Sequence, residues 1–151
     1  MKKLFVRGLP LVAAFMASGL MTIGQPSPAA ALAAADKPLE VCLVSGSAEY
    51  KSNESLDAFQ KFLESSYNVH CTRAFFDPAD ETHLPGLEHL DHCDVMLLFT
   101  RRLKLEGEEL ERIKRYCLAG KPLVGVRTAS HAVQTWLDLD KEVLGGNYRG
   151  H

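Results

Sequence analysis

Short apolar runs recur along the chain and predict four strands. The runs Leu39–Ser45 and Asp94–Phe99 are almost continuously apolar, which is typical of strands buried on both faces. A third run, Asn68–Phe75, alternates loosely and ends at the turn signal Asp77-Pro78. The fourth begins at Lys121-Pro122. Buried strands of this kind are expected in a parallel sheet that helices cover.

Segments with helical spacing separate these strands. Asn53 is predicted to be the N-cap of a first helix, whose apolar positions recur every three or four residues. Glu106–Ala119 forms an amphipathic second helix that ends at Gly120. A single helical turn is expected within Leu84–Leu90, and a third helix over Ser130–Leu137.

The order of these elements predicts an α/β fold. The predicted order is strand, helix, strand, strand, helix, strand and helix. This order is typical of a three-layer, doubly wound, flavodoxin-like domain with a mostly parallel sheet and right-handed crossovers. Trp136 is expected in the core. Leu144–His151 looks like the start of a loop, and four strands are few for this architecture. We therefore expect a sheet that is incomplete at its C-terminal side, as in a fragment or an early-terminated copy.

The first 33 residues are predicted to be a signal peptide, followed by one domain over residues 34–151. Three positive residues precede the mostly apolar run Leu11–Ile23, and Ala31-Leu32-Ala33 has the small residues of a cleavage site. An uncleaved anchor is the alternative, although the run is shorter than the roughly 20 residues needed to span a bilayer. We expect export to the periplasm or beyond the cell, with no membrane contact after cleavage.

Charge narrows the choice of partners. Residues 34–151 contain 14 basic and 19 acidic residues, which gives a formal charge of −5. This balance argues against nucleic acid as a partner, because its phosphates require basic surfaces. It argues equally against an anionic membrane surface. A small molecule is the expected partner.

Four cysteines remain after processing, and none is arranged as a C-x-x-C pair. Export permits disulfides, so two alternatives stay open. Either the thiols are buried and free, or at least one bridge forms. Cys42 with Cys71 is the first pair to test, on the assumption that their strands are neighbours.

The segment Pro122–Val133 concentrates candidate chemistry. It reads as a buried strand that passes through a tight turn into a helix, the arrangement of a nucleophile elbow. Ligands of open α/β sheets bind at the carboxyl ends of the strands, where helix N-termini offer free N–H groups. The turn contains neither a cysteine nor a G-x-S-x-G serine. Its polar residues are Arg127, Thr128, Ser130 and His131.

Three segments together resemble the ThuA-like, trehalose-utilisation family. They are the loop Ser45-Gly-Ser-Ala-Glu-Tyr50, the elbow Gly125–His131 and the ending Gly145-Gly-Asn-Tyr-Arg-Gly-His151. The resemblance extends over Val41–His151 and matches the N-terminal part of such a domain. It implies a class I glutamine amidotransferase-like fold. Arg127 stands where the amidotransferases have their cysteine, so the chain is not expected to be a glutamine amidotransferase.

The resemblance implies chemistry on a carbohydrate, and the residues at the strand ends are the candidates for it. Glu49, Arg127 and His131 are the predicted catalytic residues, through proton transfer and electrostatic contacts. His131 and His151 are candidate ligands of a divalent metal such as zinc. The predicted substrate-binding residues are Ser47, Tyr50, Arg101, Thr128 and Tyr148.

Two classes of function follow. The first is a hydrolase or isomerase that acts on a trehalose-type sugar or a keto-sugar. The second is a carbohydrate-binding or interaction module without activity, or an inactive truncated copy. A reading frame that continues downstream would favour the enzyme, and a stop codon directly after His151 would favour the inert copy.

Overall fold

The computed structural model describes residues 37–150. The predicted signal peptide and His151 lie outside this range. Within it, no helix combines the length and the apolar character that crossing a membrane requires.

A four-stranded parallel sheet forms the centre of the described domain. Its strands are β1 (Leu39–Gly46), β2 (Val69–Phe75), β3 (Val95–Thr100) and β4 (Leu123–Gly125). Their spatial order is β2-β1-β3-β4, and every neighbouring pair is parallel. The prediction of four strands in an α/β fold is confirmed. Because the strands are parallel, the carboxyl ends of β1, β3 and β4 meet at one edge of the sheet.

Two helices and three short turns connect and follow the strands. Helix α1 spans Ser52–Ser66, and α2 spans Gly107–Leu118. The expected cap of α2 is present, since Gly120 adopts a left-handed φ of 70° just beyond the helix. Two short 3₁₀ turns span Leu87–Asp91 and Arg127–His131. One π turn spans Asp140–Leu144. The π turn lies just before the loop predicted at Leu144–His151.

Successive strand residues alternate between two apolar clusters. One cluster contains Leu43 and Leu97 from the strands together with Leu56 from α1. The other contains Met96 from β3 and Ile113 from α2, and many more buried side chains. Trp136, only 9% exposed, belongs to this second cluster, as predicted. The strands are therefore apolar on both sides because helices and turns bury both faces.

Asn53 is not the N-cap of α1, contrary to prediction. Lys51 occupies that position with a left-handed φ of 48° and no side-chain cap. The Asn53 side chain instead accepts a hydrogen bond from Ser45 Oγ at 2.6 Å and donates one to the Phe76 carbonyl at 3.0 Å. It therefore joins α1 to the chain at the ends of β1 and β2. The Asn53 side chain thus bonds to residues distant in sequence instead of to the backbone at the start of its own helix.

The predicted helix over Ser130–Leu137 is also wrong. After the 3₁₀ turn, the His131 carbonyl accepts the Arg102 N–H at 2.8 Å, and the Gln134 N–H donates to the Leu103 carbonyl at 2.7 Å. Leu103 and Val133 form a parallel bridge. Because these backbone groups pair with the loop after β3, they cannot form helical hydrogen bonds. No long helix begins at this turn.

All four cysteines are buried and free. Cys42 belongs to the cluster against α2, whereas Cys71 belongs to the cluster against α1. The two side chains therefore lie on opposite faces of the sheet, although their strands are neighbours. The suggested Cys42–Cys71 bridge does not form, because period-two alternation and parallel register separate the thiols.

We expect iodoacetamide to modify Cys93 before any other cysteine at pH 8. A hydrogen bond from the Cys42 thiol, assisted by the Tyr116 hydroxyl and the charge of Lys121, lowers the pKa of Cys93 below its usual value of 9.0. Burial raises the pKa of Cys117 to about 11. Since the thiolate is the nucleophile, Cys93 has the larger reactive fraction at this pH.

Peptide mass mapping of the alkylated protein over pH 6–9 measures this order. Cys93 also lines a cavity of about 260 Å³, which gives the reagent an approach. Cys93→Ser should remove the fast modification, and Cys117→Ser should leave it unchanged. Uptake at Cys117 as fast as at Cys93 would contradict the expected pKa order.

Candidate functional site

Loops that follow three strands meet at the carboxyl edge of the sheet. The loop after β1 contains Glu49 and Tyr50, the loop after β3 contains Arg101 and Arg102, and the turn after β4 begins at Arg127. In open α/β sheets this edge is the usual place for ligands. The predicted site residues therefore come from separate parts of the chain to one side of the sheet.

Four of the predicted residues form two pairs at this edge. Arg101 Nη1 lies 3.1 Å from Glu49 Oε2, and the Arg127 guanidinium lies 4.0 Å above the Tyr50 ring. The carboxylate of Glu49 is about half exposed. Each predicted cation is thus held by a side chain of the loop after β1, through an ion pair in one case and a cation–π contact in the other.

The turn after β4 is sharp and firmly attached. Arg127 has a positive φ of 52°, which is uncommon for a residue with a side chain and agrees with the elbow predicted at this position. Thr128 is buried, and its hydroxyl donates to the Thr100 carbonyl at 2.7 Å. The Thr128 hydroxyl proton is therefore engaged with the end of β3. This bond fixes the turn against the sheet.

A cavity of about 450 Å³ adjoins the turn. His131 is 5% exposed, and its ring stacks on that of Tyr148 with centroids 4.3 Å apart and planes 16° from parallel. Ser130 Oγ lies 3.1 Å from His131 Nδ1. The polar lining also includes Arg102, Gln134 and Arg149. The structure thus brings together His131 and Tyr148, two of the predicted site residues.

The Gly145-Gly146 segment holds Tyr148 in this position. The Tyr148 N–H donates to Asp140 Oδ2 at 2.7 Å, and the Gly146 N–H donates to the Asp140 carbonyl at 2.8 Å. Asp140 is only 6% exposed. A Cβ at position 146 would overlap the Asp140 carboxylate, so the close approach requires glycine there. The buried aspartate therefore acts as the anchor of this cavity wall.

Arg102 lines the cavity, although it was not among the predicted site residues. Side chains of adjacent residues on an extended strand point apart, which favoured Arg101 over its neighbour. Arg102 instead has a left-handed φ of 53°. Its Nη2 lies 3.5 Å from the Tyr148 hydroxyl. Gln134 and Arg149 were also missed. Gln134 belongs to no recognisable motif, and Arg149 lies in the segment Gly145–His151 at a position to which no role was assigned.

Ser47 lies in the loop after β1 and is almost fully buried. Its N–H donates to Ser52 Oγ at 2.8 Å, and its own Oγ has no hydrogen-bond partner among the described residues. Ser47 is not part of the cavity lining around His131. The structure therefore places it with the start of α1, apart from the His131–Tyr148 pair.

The described residues do not supply a metal site. Between positions 37 and 150 there is no group of three His, Cys, Asp or Glu side chains arranged to hold a metal ion. His131 is the predicted ligand within this range, and His151 lies outside it.

Comparison of the chain with family models, with curated proteins and with solved structures found no match. The resemblance to the ThuA-like family therefore remains a prediction from the sequence motifs.

Proposed function

We propose that the protein is an exported ThuA-like domain that binds a carbohydrate at the carboxyl edge of its sheet. We also propose that the domain has the three-layer arrangement of the flavodoxin-like, class I glutamine amidotransferase-like fold. The observation that carries the proposal is the cavity in which His131 and Tyr148 stack beside Arg102 and Arg149. A cavity that combines aromatic surface with several hydrogen-bonding groups suits a polar, ring-shaped ligand.

His131 is the proposed proton-transfer group. Histidine exchanges protons near neutral pH, and the hydroxyl of Ser130 engages its Nδ1. This chemistry serves either hydrolysis of a glycosidic bond or isomerisation of a keto-sugar, the two reactions that the sequence suggests. No step is assigned to zinc, because residues 37–150 contain no group of three donors that could hold it.

Glu49 and Arg127 have a supporting role in this proposal. Both lie at the carboxyl edge, and neither lines the cavity around His131. A disaccharide that extends beyond the cavity would meet the Glu49–Arg101 and Tyr50–Arg127 pairs. These pairs would orient the second sugar through hydrogen bonds.

We expect a keto-disaccharide to raise the melting temperature of the purified protein. A ligand that binds only the folded state at about 100 times its Kd adds about 2.7 kcal/mol of stability, which corresponds to roughly 10 °C for a domain of this size. Scanning calorimetry with 3-keto-trehalose measures the shift, and mannitol at the same concentration controls for solvent effects. Equal shifts with both compounds would contradict specific binding.

A non-catalytic carbohydrate-binding module is the second candidate. Two contacts favour it: Arg101 already pairs with Glu49, and Arg127 already packs on Tyr50. The cavity lining also contains no carboxylate to share acid–base work with His131. Product analysis separates the candidates, because a binding module would give the thermal shift without any change in the sugar.

A further inference from the structure

The cavity around His131 is positively charged. Two guanidinium groups, those of Arg102 and Arg149, line it together with the buried imidazole of His131. None of the described residues that line it is acidic. The concentration of positive charge is notable because residues 34–151 have an excess of acidic side chains.

Arg102 and Arg149 differ from most other arginines of the described domain, although Arg127 also has no ion pair and packs on Tyr50. Arg73, Arg101, Arg112 and Arg115 each form an ion pair with an aspartate or glutamate. Within residues 37–150, neither Arg102 nor Arg149 has a carboxylate within 4.0 Å. Arg102 contacts the Tyr148 hydroxyl, and Arg149 Nε donates to Asn147 Oδ1 at 3.3 Å. Both arginines are exposed and have no carboxylate partner among the described residues.

The nearby acids are engaged elsewhere. Asp140 is buried and accepts the Tyr148 N–H through its carboxylate. Glu49 pairs with Arg101. An anion that enters the cavity would therefore meet two guanidinium groups without displacing an internal carboxylate. Guanidinium groups bind carboxylate and phosphate strongly, because their N–H groups match the spacing of the anionic oxygens.

We infer that the cavity selects a carbohydrate with an anionic group, either a sugar acid or a sugar phosphate. The inference rests on the proposed function and adds the substrate class. Arg102 and Arg149 bind the anionic group, and the sugar ring lies beside the stacked pair of His131 and Tyr148. This placement sets the reacting part of the sugar close to His131.

Isothermal titration with three matched sugars tests the inference. The probes are trehalose, its 6-phosphate and its 6-uronic acid, and inorganic phosphate is titrated as a fourth ligand. We expect at least one anionic sugar to bind at least about tenfold more tightly than trehalose, since a charged hydrogen bond is worth more than a neutral one. Comparison of the two anionic sugars distinguishes a phosphate from a carboxylate. The preference should weaken between 50 and 500 mM NaCl.

Arginine variants connect this preference to the cavity. Arg102→Gln and Arg149→Gln should each lower the affinity for the preferred anionic sugar about tenfold or more, and by a larger factor than the affinity for trehalose. Arg115→Gln, on α2 and paired with Glu108, is the matched control and should bind like the wild type. Circular dichroism and melting curves establish that each variant is folded.

The possible failures are distinguishable. Equal affinity for trehalose and both anionic sugars would overturn the inference and leave the proposed function standing. Anionic binding that persists unchanged in both cavity variants would also overturn it. If inorganic phosphate binds through Arg102 and Arg149 but no sugar binds, the proposed function fails while the anion site remains.

Discussion

Replacing His131 by glutamine is expected to lower turnover of the sugar substrate roughly 10²–10⁴-fold, the usual contribution of one general acid or base. The imidazole is buried beside Ser130 and Tyr148 at the cavity. Glutamine retains hydrogen-bonding capacity and a similar size, but it cannot exchange a proton near neutral pH. The loss should therefore appear mainly in kcat, with a smaller change in KM.

Steady-state assays of sugar conversion between pH 5 and 9 measure this effect. His83→Gln is the matched control, because His83 is exposed and pairs with Glu109 away from the cavity. Both variants should keep the circular dichroism spectrum of the wild type. Wild-type kcat in folded His131→Gln would remove His131 from the catalytic assignment, and so would an unchanged pH profile.

Replacing Leu43 by alanine is expected to lower the free energy of unfolding by about 2–5 kcal/mol, the range for a large-to-small change in a packed core. Leu43 lies in β1, which has a strand on either side, and its side chain has no exposed surface. It packs in one cluster with Leu56 of α1 and Leu97 of β3. Shortening it leaves a cavity between the sheet and the helix.

Urea unfolding followed by circular dichroism gives this free energy. Leu39→Ala provides the control in the same strand, because Leu39 is 45% exposed. Its effect should stay within about 1 kcal/mol, as at most surface positions. If the two variants were destabilised equally, the burial of Leu43 against α1 would not be a main contribution to stability.

Much of the sheet could be predicted because the signals were local. Continuous apolar runs identified β1 and β3, and the charged, regularly spaced face of α2 identified that helix. Gly120 ended α2 as expected. These patterns depend on which faces of an element are buried, and the side-chain period of each element records that information directly.

Only part of the candidate site could be predicted from local sequence patterns. His131 and Tyr148 were selected from separate motifs, and the structure stacks their rings. Arg102 and Arg149 could not be selected, because the role proposed for them depends on the lack of carboxylate partners around one cavity of the described domain. Whether a carboxylate lies near an arginine depends on every element that packs around it. The spacing of residues along the chain does not predict this.

By itself, the sequence determined the alternation of strands and helices, the apolar core and the polar character of the loops at the carboxyl ends. Only the tertiary structure decided which backbone groups pair after β4, where Leu103 takes the hydrogen bonds that a helix at Ser130–Leu137 would have needed. It likewise placed Cys42 and Cys71 on opposite faces, and it brought Arg102 to Tyr148. Local periodicity fixes which side of an element is buried, whereas contacts between distant segments depend on the free energy of the whole packed chain.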